Sequence, residues 1–177
     1  MPSRPILILR SARRARLEGR MNRDAATRQR LLARRDDVPA IVALLADDPL
    51  GGAREEAANP LPPAYAQAFD DITGQSGNHL FVAEADGAVA GCLQLTVIPG
   101  LSRRGMKRGL IEAVRVGAQY RRLGVGESLV RHAVEAARAA GCGLVHLTSD
   151  KPRADAHRFY RRLGFVASHV GMKLALD

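Results

Sequence analysis

Six residues, Arg121-Arg122-Leu123-Gly124-Val125-Gly126, join an apolar, strand-like run from Leu110 to Val116 to a run of helical period that begins at Glu127. An anion belongs at such a junction. The first turn of a helix presents unbonded N–H groups and about half a positive charge, and the two glycines let a phosphate approach the backbone closely. The chemistry indicated is capture of a ligand that carries a pyrophosphate. Two common nucleotide loops fail on spacing. A P-loop needs Lys and Ser/Thr after the last glycine, where this chain has Glu127-Ser128, and the dinucleotide fingerprint needs a third glycine where Leu129 stands.

The pattern that fits is Arg121-x-x-Gly124-x-Gly126, followed downstream by Ala156-x-x-x-Tyr160-x-x-x-Gly164-Phe165. Together, in this order, the two segments resemble the cofactor loop and the late tyrosine motif of the GNAT superfamily of acyl-CoA N-acyltransferases. The resemblance runs from Arg35 to Leu176, and the tail from Ala156 onward, with Ser168-His169, is also similar to the aminoalkylphosphonate N-acetyltransferases within that superfamily. It implies an α/β fold, a mixed central sheet flanked by helices. It also implies acetyl-CoA as co-substrate, held by Arg121, Arg122, Leu123, Gly124, Val125 and Gly126 at its pyrophosphate. The pantetheine arm would run along the backbone of Val114, Arg115 and Val116.

Acetyl transfer to an amine sets two demands. An alkylammonium with the pKa of lysine must lose a proton at a cost of about 4–5 kcal/mol at pH 7, and the departing thiolate must gain one. The resemblance places Tyr160 at the sulfur as the acid, and Glu112 at the strand position where several relatives carry a base. Read as a residue only, Tyr160 shares an apolar helix face with Ala156, Phe159 and Leu163 and is equally suited to a core. Glu112 shares a strand face with Leu110, Val114 and Val116, so it is part-buried or beside a cleft, or else paired with Arg115, Arg153 or a loop arginine. Arg153 stands where the superfamily often has an asparagine; it is either a ligand for a CoA phosphate or an acidic substrate, or a partner of Asp150 or Asp155. His157 and His169 lie near the thioester end, whereas His132 and His146 read as structural. Arg54, Glu55, Glu56, Tyr65, Gln94, Ser102 and Arg103 fall in segments that wall the acceptor site in this superfamily.

These residues require elements to position them. The pattern predicts a strand at Leu31 to Ala33, a helix with an Asp cap and Pro39 in its first turn, and a Pro/Gly loop from Pro49 to Pro63. A second helix is expected at Tyr65 to Ile72, then a hairpin, His79 to Ala85 and Ala88 to Val97, turning at Asp86-Gly87. A basic loop with Arg103, Arg104, Lys107 and Arg108 leads into the central strand. Leu129, Val130, Ala133, Val134 and Ala137 make one face of the following helix, which Gly141 ends. A strand at Leu144 to Thr148, a helix at Asp155 to Leu163 and a final extended pair from Phe165 to Leu176 complete the order.

At 177 residues and 46% hydrophobic, the chain suits one core and contains no apolar run long enough to span a membrane. Cys92 and Cys142 match neither a disulfide framework nor a zinc pattern, so no metal and a reducing cytoplasm are expected. The net charge of +9 is concentrated. Residues 1–35 contain eleven arginines against Glu18 and Asp24, and the remainder balances. The expected division is a basic extension over 1–30 and the N-acetyltransferase domain over 31–177. The extension is expected to be disordered or partly helical, or an upstream start with Met21 as the true initiator. A tail for nucleic acid or acidic surfaces and an Arg-rich targeting peptide are the other readings. The function expected is acetylation of a primary amine, that of a small molecule, with a homodimer as the expected assembly, no membrane partner, and nucleic acid only through the basic arm. The alternatives are a protein lysine or N-terminal acetyltransferase, and a non-catalytic CoA sensor or nucleic-acid-binding module.

Overall fold

The computed structural model describes residues 27–30 and 32–176. Its sheet is organised by the hairpin at Asp86-Gly87, where both residues take positive φ, 52° and 78°, as a two-residue turn with the twist of its strands requires. This turn joins β2 (Asn78–Ala85) to β3 (Ala88–Ile98), with Phe81 opposite Leu93. The sheet has five strands in sequence order: β1 (Thr27–Arg30), β2, β3, β4 (Lys107–Val116) and β5 (Cys142–Leu147). The first four pair antiparallel, and β5 pairs parallel to β4.

Each face of the sheet is covered by helices whose apolar stripe it buries. Helix α3 (Val125–Ala139) buries Val125, Leu129, Val130, Ala133 and Ala137 against Phe81, Leu93, Leu95 and Ile111. Helix α4 (Ala154–Arg162) adds Phe159 and Tyr160 to the same cluster, with Leu163 just beyond its end. The other face, with Leu80, Val82 and Cys92, packs against Ile41 and Leu45 of α1 (Val38–Ala46) and Phe69 and Ile72 of α2 (Pro63–Gly74). Parity explains the division, because alternate residues of a strand point to opposite faces.

Four expectations shift. The first strand is Thr27–Arg30, not Leu31 to Ala33, so the sheet begins inside the segment assigned to the extension. Its pairing with Val82 to Ala85 is made by backbone, which apolar content does not reveal, and Leu32 beyond it is 56% exposed. The remainder of the extension, residues 1–26, lies outside the described residues. Helix α3 starts at Val125 rather than Glu127, directly after Gly124. Asp37 precedes α1, but its carboxylate accepts from the backbone N–H of Arg34 (2.7 Å) instead of capping the helix. The expected final strand pair does not form. Residues 166–176 form neither helix nor strand, because Val166, Val170, Met172, Leu174 and Leu176 find no surface to cover and stay 76% to 91% exposed.

Candidate active site

The site opens where β4 and β5 part. Their pairing runs from Lys107 opposite Cys142 to Ile111 opposite Leu147 and stops. Beyond it β4 continues to Val116, still paired on its other side with β3 through Cys92 opposite Arg115 and Gly91 opposite Val116. The register shifts between Cys92 and Gln94, and Ala113 across from it takes a left-handed φ of 51°. A bulge of this kind bends one strand and redirects the residues after it. Strained backbone in a non-glycine residue persists only where the surroundings fix it. Among the described residues the backbone from Glu112 to Val116 is free of a strand partner on the β5 side, which leaves a splay at this end of β4.

Gly124 caps α3 at a φ of 87°, and the N–H of Ser128 donates to its carbonyl (2.9 Å). The N–H groups of the first turn thus face outward, unbonded. At Gly126 a Cβ would lie 3.3 Å from Cγ2 of Val116 and 3.6 Å from Cζ of Phe159. This glycine brings the helix start, the free strand and α4 together. Val125 is 1% exposed and Leu123 54% exposed, so Val125 offers a phosphate only its backbone. A cradle of backbone N–H groups beside an unpaired strand edge fits a CoA pyrophosphate and pantetheine arm.

Two arginines of the expected set cap the strand carbonyls. Nη1 of Arg115 donates to the carbonyl of Val114 (2.9 Å), and Nε of Arg121 donates to that of Val116 (3.2 Å). Each arginine is also held by a carboxylate at the end of α1: Arg115 by Asp48 and Arg121 by Asp47, both at 3.3 Å. Arg122, exposed at a φ of 64°, completes the loop.

Tyr160 sits in the core cluster with Val114 and Val116, its ring 5.1 Å from Phe159 and 5.7 Å from Phe165 in edge-on contacts. Burial pushes the phenol pKa up, with Arg115 and Arg153 opposing. The phenol is thus kept protonated at neutral pH. Glu112, the first β4 residue past the last β5 pair, is exposed and lies opposite Gln94. Among the described residues it makes no salt bridge. Arg153 is bound bidentate to Asp48, 2.8 Å and 2.5 Å, with Asp150 at 3.5 Å, whereas Asp155 pairs with Arg158. The Asp150 alternative read from sequence is present, but the stronger partner is Asp48.

Of the expected acceptor wall, Gln94 lies beside Glu112. Tyr65 ties α2 to the preceding loop, accepting from the N–H of Glu56 (2.9 Å) and donating to Glu55 (3.0 Å), and Arg54 is exposed in the same loop. Ser102 and Arg103 precede β4 at the end away from the splay. His132 meets Phe81 edge-on at 4.8 Å, and burial lowers its pKa. Burial likewise lowers that of His146, whose Nε2 has no hydrogen-bond partner. His157 is part-buried on α4, and exposed His169 shares a hydrogen bond with Ser168 (2.8 Å). Sequence reasoning missed Asp47, Asp48 and the bulge at Ala113. A signal existed for the first two: adjacent carboxylates at a helix C-terminus oppose its dipole and call for cations.

A free strand edge, a helix N-terminus at its end and a half-buried tyrosine fit an acyl-CoA-dependent transferase site. The model of the acetyltransferase (GNAT) family matches residues 39–165, and the chain belongs to that family. It is an N-acetyltransferase that uses acetyl-CoA. The chain is 34% identical over 123 residues to glucosamine 6-phosphate N-acetyltransferase 1 of Oryza sativa subsp. japonica, covering 66% of this chain and 73% of the relative. A shorter match, 44% over 52 residues, covers 29% of the chain and 34% of the aminoalkylphosphonate N-acetyltransferase of Salmonella typhimurium. Among solved structures, a protein of Bacillus halodurans C-125 described as a transcriptional regulator is 43% identical. It superposes with a TM-score of 0.80 over 85% of this chain and 98% of its own.

Proposed function

We propose that this enzyme acetylates the primary amine of a small molecule in the cytoplasm, by direct attack of the amine on the thioester and without an acyl-enzyme. The observation that carries the reading is the parting of β4 from β5 at Glu112, with Tyr160 in the cluster that contains the free strand's Val114 and Val116. The rice and Salmonella relatives are named for small amine acceptors, which supports that substrate class. The two free cysteines are consistent with a reducing compartment.

Acetyl-CoA supplies the activated acetyl group and a thiolate leaving group. The first-turn N–H groups of α3, with Arg121 and Arg122, hold the pyrophosphate, and the backbone from Val114 to Val116 holds the pantetheine arm. Arg121 exchanges Asp47 for phosphate when it does so. Glu112 takes the ammonium proton directly or through one water, the new N–C bond forms as the C–S bond breaks, the Tyr160 hydroxyl gives its proton to the departing sulfur, and the second proton of the acylated nitrogen passes through water to the phenolate, while Glu112 returns its proton to solvent. The exposed apolar residues of 166–176 pair two copies as a homodimer.

The test is release of free thiol from acetyl-CoA across a panel of small amines, amino acids and lysine peptides, with Glu112→Gln in parallel from pH 6 to 9. A small amine is expected to be turned over, and the variant to lose about 10²-fold or more at pH 6, and less at pH 9, where the amine deprotonates unaided. Turnover of peptides alone would replace the acceptor class. Absence of turnover on every amine, with salt-dependent binding of nucleic acid lost on deleting residues 1–26, which spares β1, would favour a regulator instead.

A further inference from the structure

Asp48 stands at the end of α1, outside the groups that hold the cofactor or move protons, yet its side chain is 4% exposed and fully engaged. Its two cations come from opposite walls of the cleft. Arg115 projects from the part of β4 that β5 does not pair, and Arg153 immediately precedes α4, which carries Tyr160. The surrounding chain is shaped to admit the carboxylate. The N–H groups of Gly51 and Gly52 donate to the Asp48 carbonyl at 3.2 Å and 2.7 Å, and a Cβ on Gly51 would lie 2.6 Å from Asp48 Oδ2. Only glycine leaves that space.

The cluster converges on Asp48. One carboxylate faces two guanidiniums, and Nε of Arg115 is buried without an acceptor. A buried charge cluster of this composition adds little stability beyond what an apolar cluster would supply. Its effect lies in geometry: strand β4 and helix α4, which flank the thioester, are linked through one atom group on a third element.

We propose that Asp48 is a positioning residue for acetyl transfer, tying Arg115 to Arg153 and thereby fixing the gap between the free end of β4 and the helix that carries Tyr160. The inference rests on the reading of that gap as the transfer site. Asp48 also holds the two guanidiniums whose charge acts on the phenol. The groups that act on Tyr160 are Arg115 from β4 and Arg153 from the turn before α4, and they are balanced by Asp48 from α1 and by Asp150 beside Arg153. Cys92 of β3, whose thiol burial pushes up to about 12, stays neutral.

The experiment compares wild type with Asp48→Asn, Asp48→Glu and the pair Asp48→Asn with Arg153→Gln, reading the KM for acetyl-CoA, kcat against pH, and Tm. Asp48→Asn removes the carboxylate from Arg115 and leaves Arg153 with Asp150 alone, so positive charge near the phenol rises. The alkaline limb of kcat is expected to fall by about one pH unit, and kcat/KM for acetyl-CoA by about 10²-fold as the reacting groups lose alignment. Asp48→Glu restores the limb but not the KM, because the charge returns on a longer arm. The double variant removes one charge of each sign, so it folds even if the single variant does not; its limb stays near wild type while its KM remains high. Unchanged KM and pH profile in Asp48→Asn or in the double variant, with only a lower Tm, would reduce Asp48 to a structural residue. Wild type that fails to bind acetyl-CoA would defeat the reading of the site itself, a result visible before any variant is made.

Discussion

Tyr160 answers two requirements with one side chain, and the conflict between them can be tested. Its ring fills the core beside Phe159 and Phe165, while burial raises the phenol pKa and so retains the proton that a leaving thiolate needs. Tyr160→Phe keeps the ring and removes only the hydroxyl. We expect kcat to fall about 10²-fold with acetyl-CoA affinity unchanged by titration; a kcat equal to wild type would leave Tyr160 as core alone. Its helix and its packing with Phe159 were legible from the apolar spacing of Ala156, Phe159, Tyr160 and Leu163. The parity that set Glu112 on one face with Val114 and Val116 fails at the Ala113 bulge: those two valines join Ile111 in the cluster beneath α3, and Glu112 stands exposed opposite Gln94. The need of Asp48 for cations had a signal, but its partners were not legible, since Arg115 and Arg153 are distant in sequence and meet it only after α1 is laid across the sheet.

At the scale of elements, local signals served where the physics is local. The helix from Val125 announced itself by a glycine start, an apolar stripe of helical period and Gly141 at its end; the hairpin did so by Asp86-Gly87. The bulge at Ala113 carried no such mark, because alanine is not a residue that signals positive φ, and the splay it accompanies depends on where β5 stops pairing. The tail failed for a related reason. Its apolar residues at 166, 170, 172, 174 and 176 fall on even positions, as a strand's would, but a strand also needs a neighbour, and alternation does not supply one. Exposed apolar area of this extent signals an absent partner surface. Sedimentation of the whole chain is expected to give twice the 19.1 kDa mass, and Leu174→Glu with Leu176→Glu to give the single mass. Wild type that sediments as one copy would rule out pairing through the tail.

Across the whole molecule, charge and catalytic machinery are separated. The arginine-rich start supplies the entire formal excess of +9, while residues 36–177 contain sixteen basic and sixteen acidic side chains. On the proposed reading, cofactor affinity comes from local arrangement: the first turn of α3, the free edge of β4, and arginines whose carboxylate partners can be exchanged for phosphate. The most direct test is calorimetric titration of acetyl-CoA into wild type and Gly124→Glu. At a φ of 87° a glutamate is strained by about 1–2 kcal/mol, and its carboxylate competes for the helix N-terminus that the pyrophosphate requires. The account predicts one acetyl-CoA per chain in wild type and no measurable binding in the variant. Equal binding by both proteins, or none by wild type, would contradict it.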